Sequence, residues 1–229
     1  MSIKRLEYVE VTGNQVLDID FIPNGNTTVE CEYDPTSVAG NQGIWSARNY
    51  VGLNNSHTMF IIGSSYYRFD LYGVATSINV TDIARRKIIK TTKTSVKVGD
   101  VTQTFNARSG TSPEPMVLFA SYSTATTFGN YCNGKMYYFK VWDNGVLVRD
   151  LIPAISDNIV GMFDKVNNVF YPPLKGTLVA GPILNNVNGS IKVNGQWHDI
   201  DMIYIKANGQ WKEADAVYAK QNGQWRQST

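Results

Sequence analysis

Three acidic side chains alternate along one stretch of the chain: Glu30, Glu32 and Asp34. Alternation puts all three on one face of an extended strand. Two carboxylates held about 5–9.5 Å apart can hydrolyse a glycosidic bond, one of them acting as an acid of raised pKa. The plainer reading is a solvated face, because Val29, Cys31 and Tyr33 form its apolar reverse. Asp18 and Asp20 read the same way. The histidines, His57 and His198, have no His or Cys at ligand spacing, which argues against zinc. No Gly-x-Ser-x-Gly elbow, phosphate loop or dinucleotide fingerprint occurs. Calcium needs no local motif, and Asp143 with Asn144, or Asp157 with Asn158, are its loop candidates. Ordinary turn chemistry explains both pairs as well. The chain is therefore expected to bind, without a catalytic centre or an obligatory cofactor.

The residues best suited to binding are aromatic. From Ile191 the chain repeats every 14 residues, keeping Trp197, Trp211 and Trp225 in phase, and Tyr204 with Tyr218. Each unit reads as a strand, an Asn-Gly turn and a returning strand headed by Gln-Trp, and the third copy stops before its closing strand. A lone hairpin is marginal in water, so the units must stack on something. The indoles, with Tyr204 and Tyr218, then serve packing, attachment or oligomerisation, ahead of sugar binding. Trp45, Tyr66, Tyr67 and Tyr122 are glycan candidates on the main body, with core placement the simpler reading of each. The basic run Arg85, Arg86, Lys87, Lys90, Lys93 and Lys97 lacks interleaved aromatics, which disfavours single-stranded nucleic acid and suggests a solvated edge strand.

The elements that position these groups are strands. The 229 residues include 13 Tyr, 9 Phe and 5 Trp, with few charges and a net charge of +2, too small to imply a nucleic-acid or membrane partner. Strands are predicted at 16–21, 27–33, 58–62, 66–71, 87–92, 101–105, 116–121, 159–164 and 169–171, and a short helix near 80–86 capped by Thr81 or Asp82. Seven Asn-Gly dipeptides, beginning at positions 24, 133, 144, 188, 194, 208 and 222, read as hairpin tips, since both central residues of a type I′ turn need positive φ. The clearest hairpin turns at Asn144-Gly145, with Tyr137, Phe139 and Val141 on one face and Met136, Tyr138 and Trp142 on the other. Cys31 and Cys132 are too few for a disulfide framework, and Cys31 reads as a buried free thiol. The first residues show no signal-peptide h-region, and no apolar run reaches a membrane span. Residues 1–183 are expected to form a β-sandwich and 184–229 a region of hairpin repeats.

Two blocks carry a family resemblance. Residues 6–18, LEYVEVTGNQVLD, resemble the opening strands of concanavalin A-like (laminin G-like) domains of phage and bacterial surface proteins. Residues 134–153, GKMYYFKVWDNGVLVRDLIP, with 159–171, IVGMFDKVNNVFY, are similar to that group's closing strands. The resemblance implies a two-sheet jelly-roll sandwich. The Asn-Gly-Gln-Trp tail is similar to C-terminal repeats of phage virion proteins, which implies a structural or accessory subunit displayed on a virion. Such a subunit would be made in the host cytoplasm, contact other virion proteins and form a homo-oligomer, with a trimer common in such proteins. The alternative is an adhesin that binds a bacterial surface glycan.

Overall fold

The computed structural model describes residues 3–48, 55–124 and 126–184, and the backbone pairing of strands in the C-terminal repeats. The chain divides into two compact units, Met1–Pro182 and Ile183–Thr229.

The first unit opens with β1 (Ile3–Arg5), β2 (Val9–Thr12), β3 (Leu17–Asp18), β4 (Thr28–Pro35) and β5 (Asn41–Ala47). It continues with β6 (His57–Ile62), β7 (Tyr66–Leu71), β8 (Val74–Ile78), β9 (Lys87–Thr91), β10 (Ser95–Val98) and β11 (Val101–Thr104). Four further strands have two residues each: β12 (Val117–Leu118), β13 (Ser121–Tyr122), β14 (Phe128–Gly129) and, later, β19 (Val179–Ala180). Between them lie the long β15 (Asn133–Asp143) and β16 (Val146–Ser156), then β17 (Ile159–Asp164) and β18 (Val169–Tyr171). The larger sheet runs β11-β10-β9-β4-β15-β16-β17-β18, with β2 on β15, β1 on β16 and β19 on β2. The smaller sheet runs β3-β12-β5-β6-β7-β8.

The two sheets pack face to face because alternate residues of each are apolar. Val29, Cys31 and Tyr33 of β4 and Met136, Phe139 and Val141 of β15 point inward, towards Trp45, Met59, Ile61, Tyr67 and Phe69 of the smaller sheet. The Trp45 and Phe139 rings meet edge-on at 5.6 Å and join the layers. Truncating either ring would cost about 3–5 kcal/mol. This is an all-β two-sheet sandwich that resembles the concanavalin A-like folds. Cys31 and Cys132 are both free and wholly buried.

The turns divide the Asn-Gly dipeptides by context. Asn144 (φ 49°) and Gly145 (φ 80°) both take the left-handed region and close β15 onto β16, as the type I′ signal predicts. Asn133-Gly134 is no hairpin tip: both residues lie inside β15, and a Cβ on Gly134 would collide with the Tyr33 hydroxyl. Asn24 opens a turn in which the Thr27 amide donates to its carbonyl (3.0 Å), placing Gly25 and Asn26 at the centre. The helix expected near 80–86 does not form. Asp82 has φ 53°, the Arg85 amide closes a single turn onto the Asp82 carbonyl (3.1 Å), and the Tyr67 hydroxyl donates to the Ile83 carbonyl (3.2 Å). The basic strand β9 is not an edge, since it pairs with β4 on one side and β10 on the other.

In the second unit the described backbone forms three two-stranded hairpins: β20 (Ser190–Val193) with β21 (Gln196–Asp199), β22 (Tyr204–Ala207) with β23 (Gln210–Glu213), and β24 (Tyr218–Gln221) with β25 (Gln224–Gln227). Lys192 pairs with Trp197, Lys206 with Trp211 and Lys220 with Trp225, so one register is kept throughout. The third copy is a whole hairpin, which corrects the expected truncation. Tyr204 and Tyr218 open the following hairpin instead of closing their own. The Asn-Gly dipeptides starting at 188, 194, 208 and 222, and the side chains of Trp197, Trp211, Trp225, Tyr204, Tyr218 and His198, lie outside the described residues.

Candidate functional site

The pairing of β15 with β4 shifts between Met136, opposite Tyr33, and Tyr138, opposite Glu32. Tyr137 is the extra residue of a β-bulge. One unpaired residue reverses the phase of everything after it. Met136, Phe139 and Val141 are therefore buried together, while Tyr137, Tyr138, Lys140 and Trp142 share the outer face. Strict alternation puts Tyr137 on the face of Phe139 and Val141, and Met136 on the face of Tyr138 and Trp142. The bulge corrects both, and turns a strand that seemed apolar on two sides into one with a core side and an open, aromatic side.

That outer face is densely furnished. The Arg86 guanidinium lies 3.5 Å from the centre of the Tyr137 ring, and its Nε donates to Glu32 Oε1 at 2.7 Å. Lys90 Nζ donates to Glu30 Oε2 (2.9 Å) and stands 5.4 Å from the Trp142 ring, while the Tyr138 hydroxyl donates to Glu30 Oε1 (3.3 Å). Lys140 lies 5.4 Å over Tyr138 and Lys135 4.5 Å over Tyr8, whose ring meets Tyr137 edge-on at 5.6 Å. Each exposed cation–ring contact contributes about 0.5–1 kcal/mol. The hydrogen bond that Arg86 donates to Glu32 holds the guanidinium proton more firmly than usual. Arg86 is thus pinned on Tyr137, whereas the lysines are long, flexible and weakly tied.

Of the three alternating carboxylates, Glu30 and Glu32 sit within this network. Glu30 and Glu32 are each committed to a cation, which is the solvated-face reading with partners supplied by Lys90 of β9 and by Arg86 just before it. Asp18 lies on β3, accepts the Asp20 amide (2.8 Å), and burial holds its pKa above the usual carboxylate value. His57 is wholly buried. Its Nδ1 accepts the Trp45 indole N–H (3.3 Å), its ring meets Phe69 edge-on at 5.2 Å, and burial pushes its pKa down to about 4. Among the described residues no cluster of His, Cys, Asp and Glu is arranged to hold a metal. Asp143 accepts from Asn24 Nδ2 (2.7 Å) and Asn144 Nδ2 (3.1 Å), and Asp157 and Asn158 both have positive φ, so turn chemistry accounts for the two calcium candidates.

Of the glycan candidates, Trp45 and Tyr67 are inaccessible in the core, and Tyr122 is 6% exposed with its hydroxyl donating to the Pro115 carbonyl (3.0 Å). These three cannot offer a ring face to a sugar. Tyr66 is half-buried at the start of β7. The platform that does exist, Tyr8, Tyr137, Tyr138 and Trp142, escaped the sequence reading. Its signal was the adjacent Tyr137-Tyr138 pair, which period-two alternation cannot bury on one side without leaving the other exposed. The basic run lacks aromatics along the chain, yet folding sets Tyr137 and Trp142 of β15 beneath Arg86 and Lys90.

Two hollows flank this face. One, of about 500 Å³, is lined by Glu30, Arg86, Ile88, Lys90, Lys97 and Asp100, among others. The other, of about 580 Å³, gathers Asn24, Asn26, Lys93, Arg108, Ser109 and Asn144 at the Asn144-Gly145 turn.

No protein-family model and no curated protein sequence matches the chain. Solved structures do match in fold. A protein from Bacteroides ovatus ATCC 8483, to which carbohydrate binding has been ascribed, is 10% identical, with 78% of this chain and 60% of that one covered at a TM-score of 0.55. The CBM40 module of a Ruminococcus gnavus IT-sialidase is 11% identical over 61% of this chain and 90% of its own, at 0.45. A heptameric SAP-like pentraxin from Limulus polyphemus, 11% identical, covers 61% and 74% at 0.40. At such identities the Bacteroides likeness shows the fold alone, and the two lower scores add nothing to it.

Proposed function

We propose that this chain is a carbohydrate-binding protein, and that the outer face of its larger sheet is the saccharide platform. One observation carries the reading: the bulge at Tyr137 brings Tyr137, Tyr138 and Trp142 to an open face among ion-paired side chains. Pyranose rings present C–H faces that pack on aromatic rings, and hydroxyls that exchange hydrogen bonds with carboxylates, ammonium groups and guanidinium. The face supplies both. The ascribed role of the Bacteroides structure agrees, although a shared fold does not by itself carry function. The carboxylates on this face are partners to cations, which suits binding better than hydrolysis. The test is a glycan array probed with the full chain and with Trp142→Ala. We expect signal for the parent and at least a tenfold loss for the variant, whose circular dichroism stays parental because Trp142 lies outside the core. A blank array, or undiminished binding by the variant, refutes the platform.

A second reading, display on a virus particle, draws on the tail resemblance and on the single register of the three hairpins, which repeats the Lys–Trp pairing at equal intervals. It expects the full chain to co-sediment with particles and a chain lacking residues 185–229 to stay in the supernatant. Equal sedimentation of the two removes it.

A further inference from the structure

The hollow beside the platform has an unusual charge arrangement. Its lining includes four cations, Arg86, Lys87, Lys90 and Lys97, against two carboxylates, Glu30 and Asp100. Arg86 is taken by Glu32 and Lys90 by Glu30. Lys87 and Lys97 have no ion-pair partner among the described residues. Moreover, Lys97 of β10 stands directly opposite Lys90 of β9. Like charges opposite each other across a ladder are destabilising. Elsewhere the same cross-strand row alternates in sign, with Lys90 opposite Glu30, Glu30 opposite Lys140, and Lys140 opposite Asp150. Only at the hollow does the alternation fail. Its apolar lining is Val80, Ile88, Val98 and Val101, of which Ile88 is half exposed (51%) and lies between Arg86 and Lys90 along the chain. A site that is apolar beneath and cationic at the rim suits a ligand with an apolar face and a negative charge.

We propose that this hollow selects anionic polysaccharide, with a carboxylate or sulfate of one sugar between Lys90 and Lys97, its ring over Ile88, and neighbouring sugars running towards Trp142. The inference rests on the saccharide platform and names its substrate class. The anion supplies the negative charge that completes the alternating row. A net charge of +2 on the whole chain is too small to draw polyanions indiscriminately, so selectivity must come from this local arrangement.

The experiment is calorimetric titration of the full chain with polygalacturonate, dextran sulfate and neutral dextran at 150 mM salt, where surface attraction beyond roughly 8 Å is screened. Variants are Lys97→Gln, Lys97→Arg and Trp142→Ala. We expect polygalacturonate to bind at least tenfold more tightly than dextran, Lys97→Gln to weaken it roughly fivefold, as loss of an exposed ion pair does, Lys97→Arg to restore it, and Trp142→Ala to weaken it as well. Dextran sulfate binding alongside polygalacturonate assigns the site to charge in general; its failure assigns it to the carboxylate. Equal binding of dextran with no effect of Lys97→Gln overturns the anion site and leaves the platform standing. Silence from all three polymers overturns both. Binding of dextran sulfate alone, indifferent to Trp142→Ala, is ion exchange and also overturns the proposal.

Discussion

Replacing His57 with Asn isolates one titration in the core. The ring is wholly buried, and because its Nδ1 accepts the Trp45 indole N–H, the neutral imidazole carries its proton on Nε2. Burial lowers the folded pKa to about 4 from 6.5. Below pH 6.5 the unfolded chain therefore takes up a proton that the folded chain refuses. The associated stability is fully present above pH 6.5 and drains away as the pH falls towards 4. At 1.36 kcal/mol per pH unit the whole gap amounts to about 3 kcal/mol, of which about 2 kcal/mol lies between pH 7.5 and pH 5. Asn has an oxygen near the position of Nδ1 and can still accept the indole proton, whereas Leu would strand that donor at about 1–3 kcal/mol. Urea denaturation of parent and His57→Asn at pH 7.5 and pH 5 measures the difference. The carboxylates titrate in both proteins and cancel. The variant should start less stable at pH 7.5 and lose about 2 kcal/mol less on acidification. Parallel pH profiles would refute the reasoning, because His57 would then titrate alike in the folded and unfolded chains.

Two further outcomes test the architecture. Gly134→Ala should lower stability by about 3 kcal/mol, since the new methyl group meets the buried Tyr33 hydroxyl, with a drop in melting temperature of roughly 10 °C; a melting temperature within about 2 °C of the parent would show that Tyr33 and the larger sheet yield to the methyl group. Removing residues 183–229 should leave the near-ultraviolet spectrum of the sandwich intact, because 1–182 forms a compact unit with its own core. Collapse of that spectrum would mean that the repeats are needed for the fold.

The sandwich was legible wherever alternation was clean. In β4, Val29, Cys31 and Tyr33 point inward and Glu30, Glu32 and Asp34 outward, as period two requires. It was not legible where both faces are covered. Residues 42–47 of β5 are all buried, so polar Gln42 and Ser46 stand among apolar neighbours without any alternation to follow. The platform was hidden for a different reason. A bulge is set by pairing with a distant strand, and nothing local to Tyr137 announces it except the doubled tyrosine. The hollow was less visible still, because the opposition of Lys90 and Lys97 exists only once β9 and β10 are in register. The basic run was conspicuous, but its aromatic partners are about 50 residues away along the chain.

Cys31 and Cys132 have a consequence beyond packing. Burial raises both thiols, Cys132 to about 12 and Cys31 well above its ordinary value. Oxidants and metals react with the thiolate, which is scarce at neutral pH in both. While the chain stays folded, these two thiols therefore resist oxidation alike in a reducing cell interior and in aerated surroundings. Such a molecule can pass from one milieu to the other without chaperoned oxidation, its two sulfur atoms shielded for as long as the sandwich stays closed.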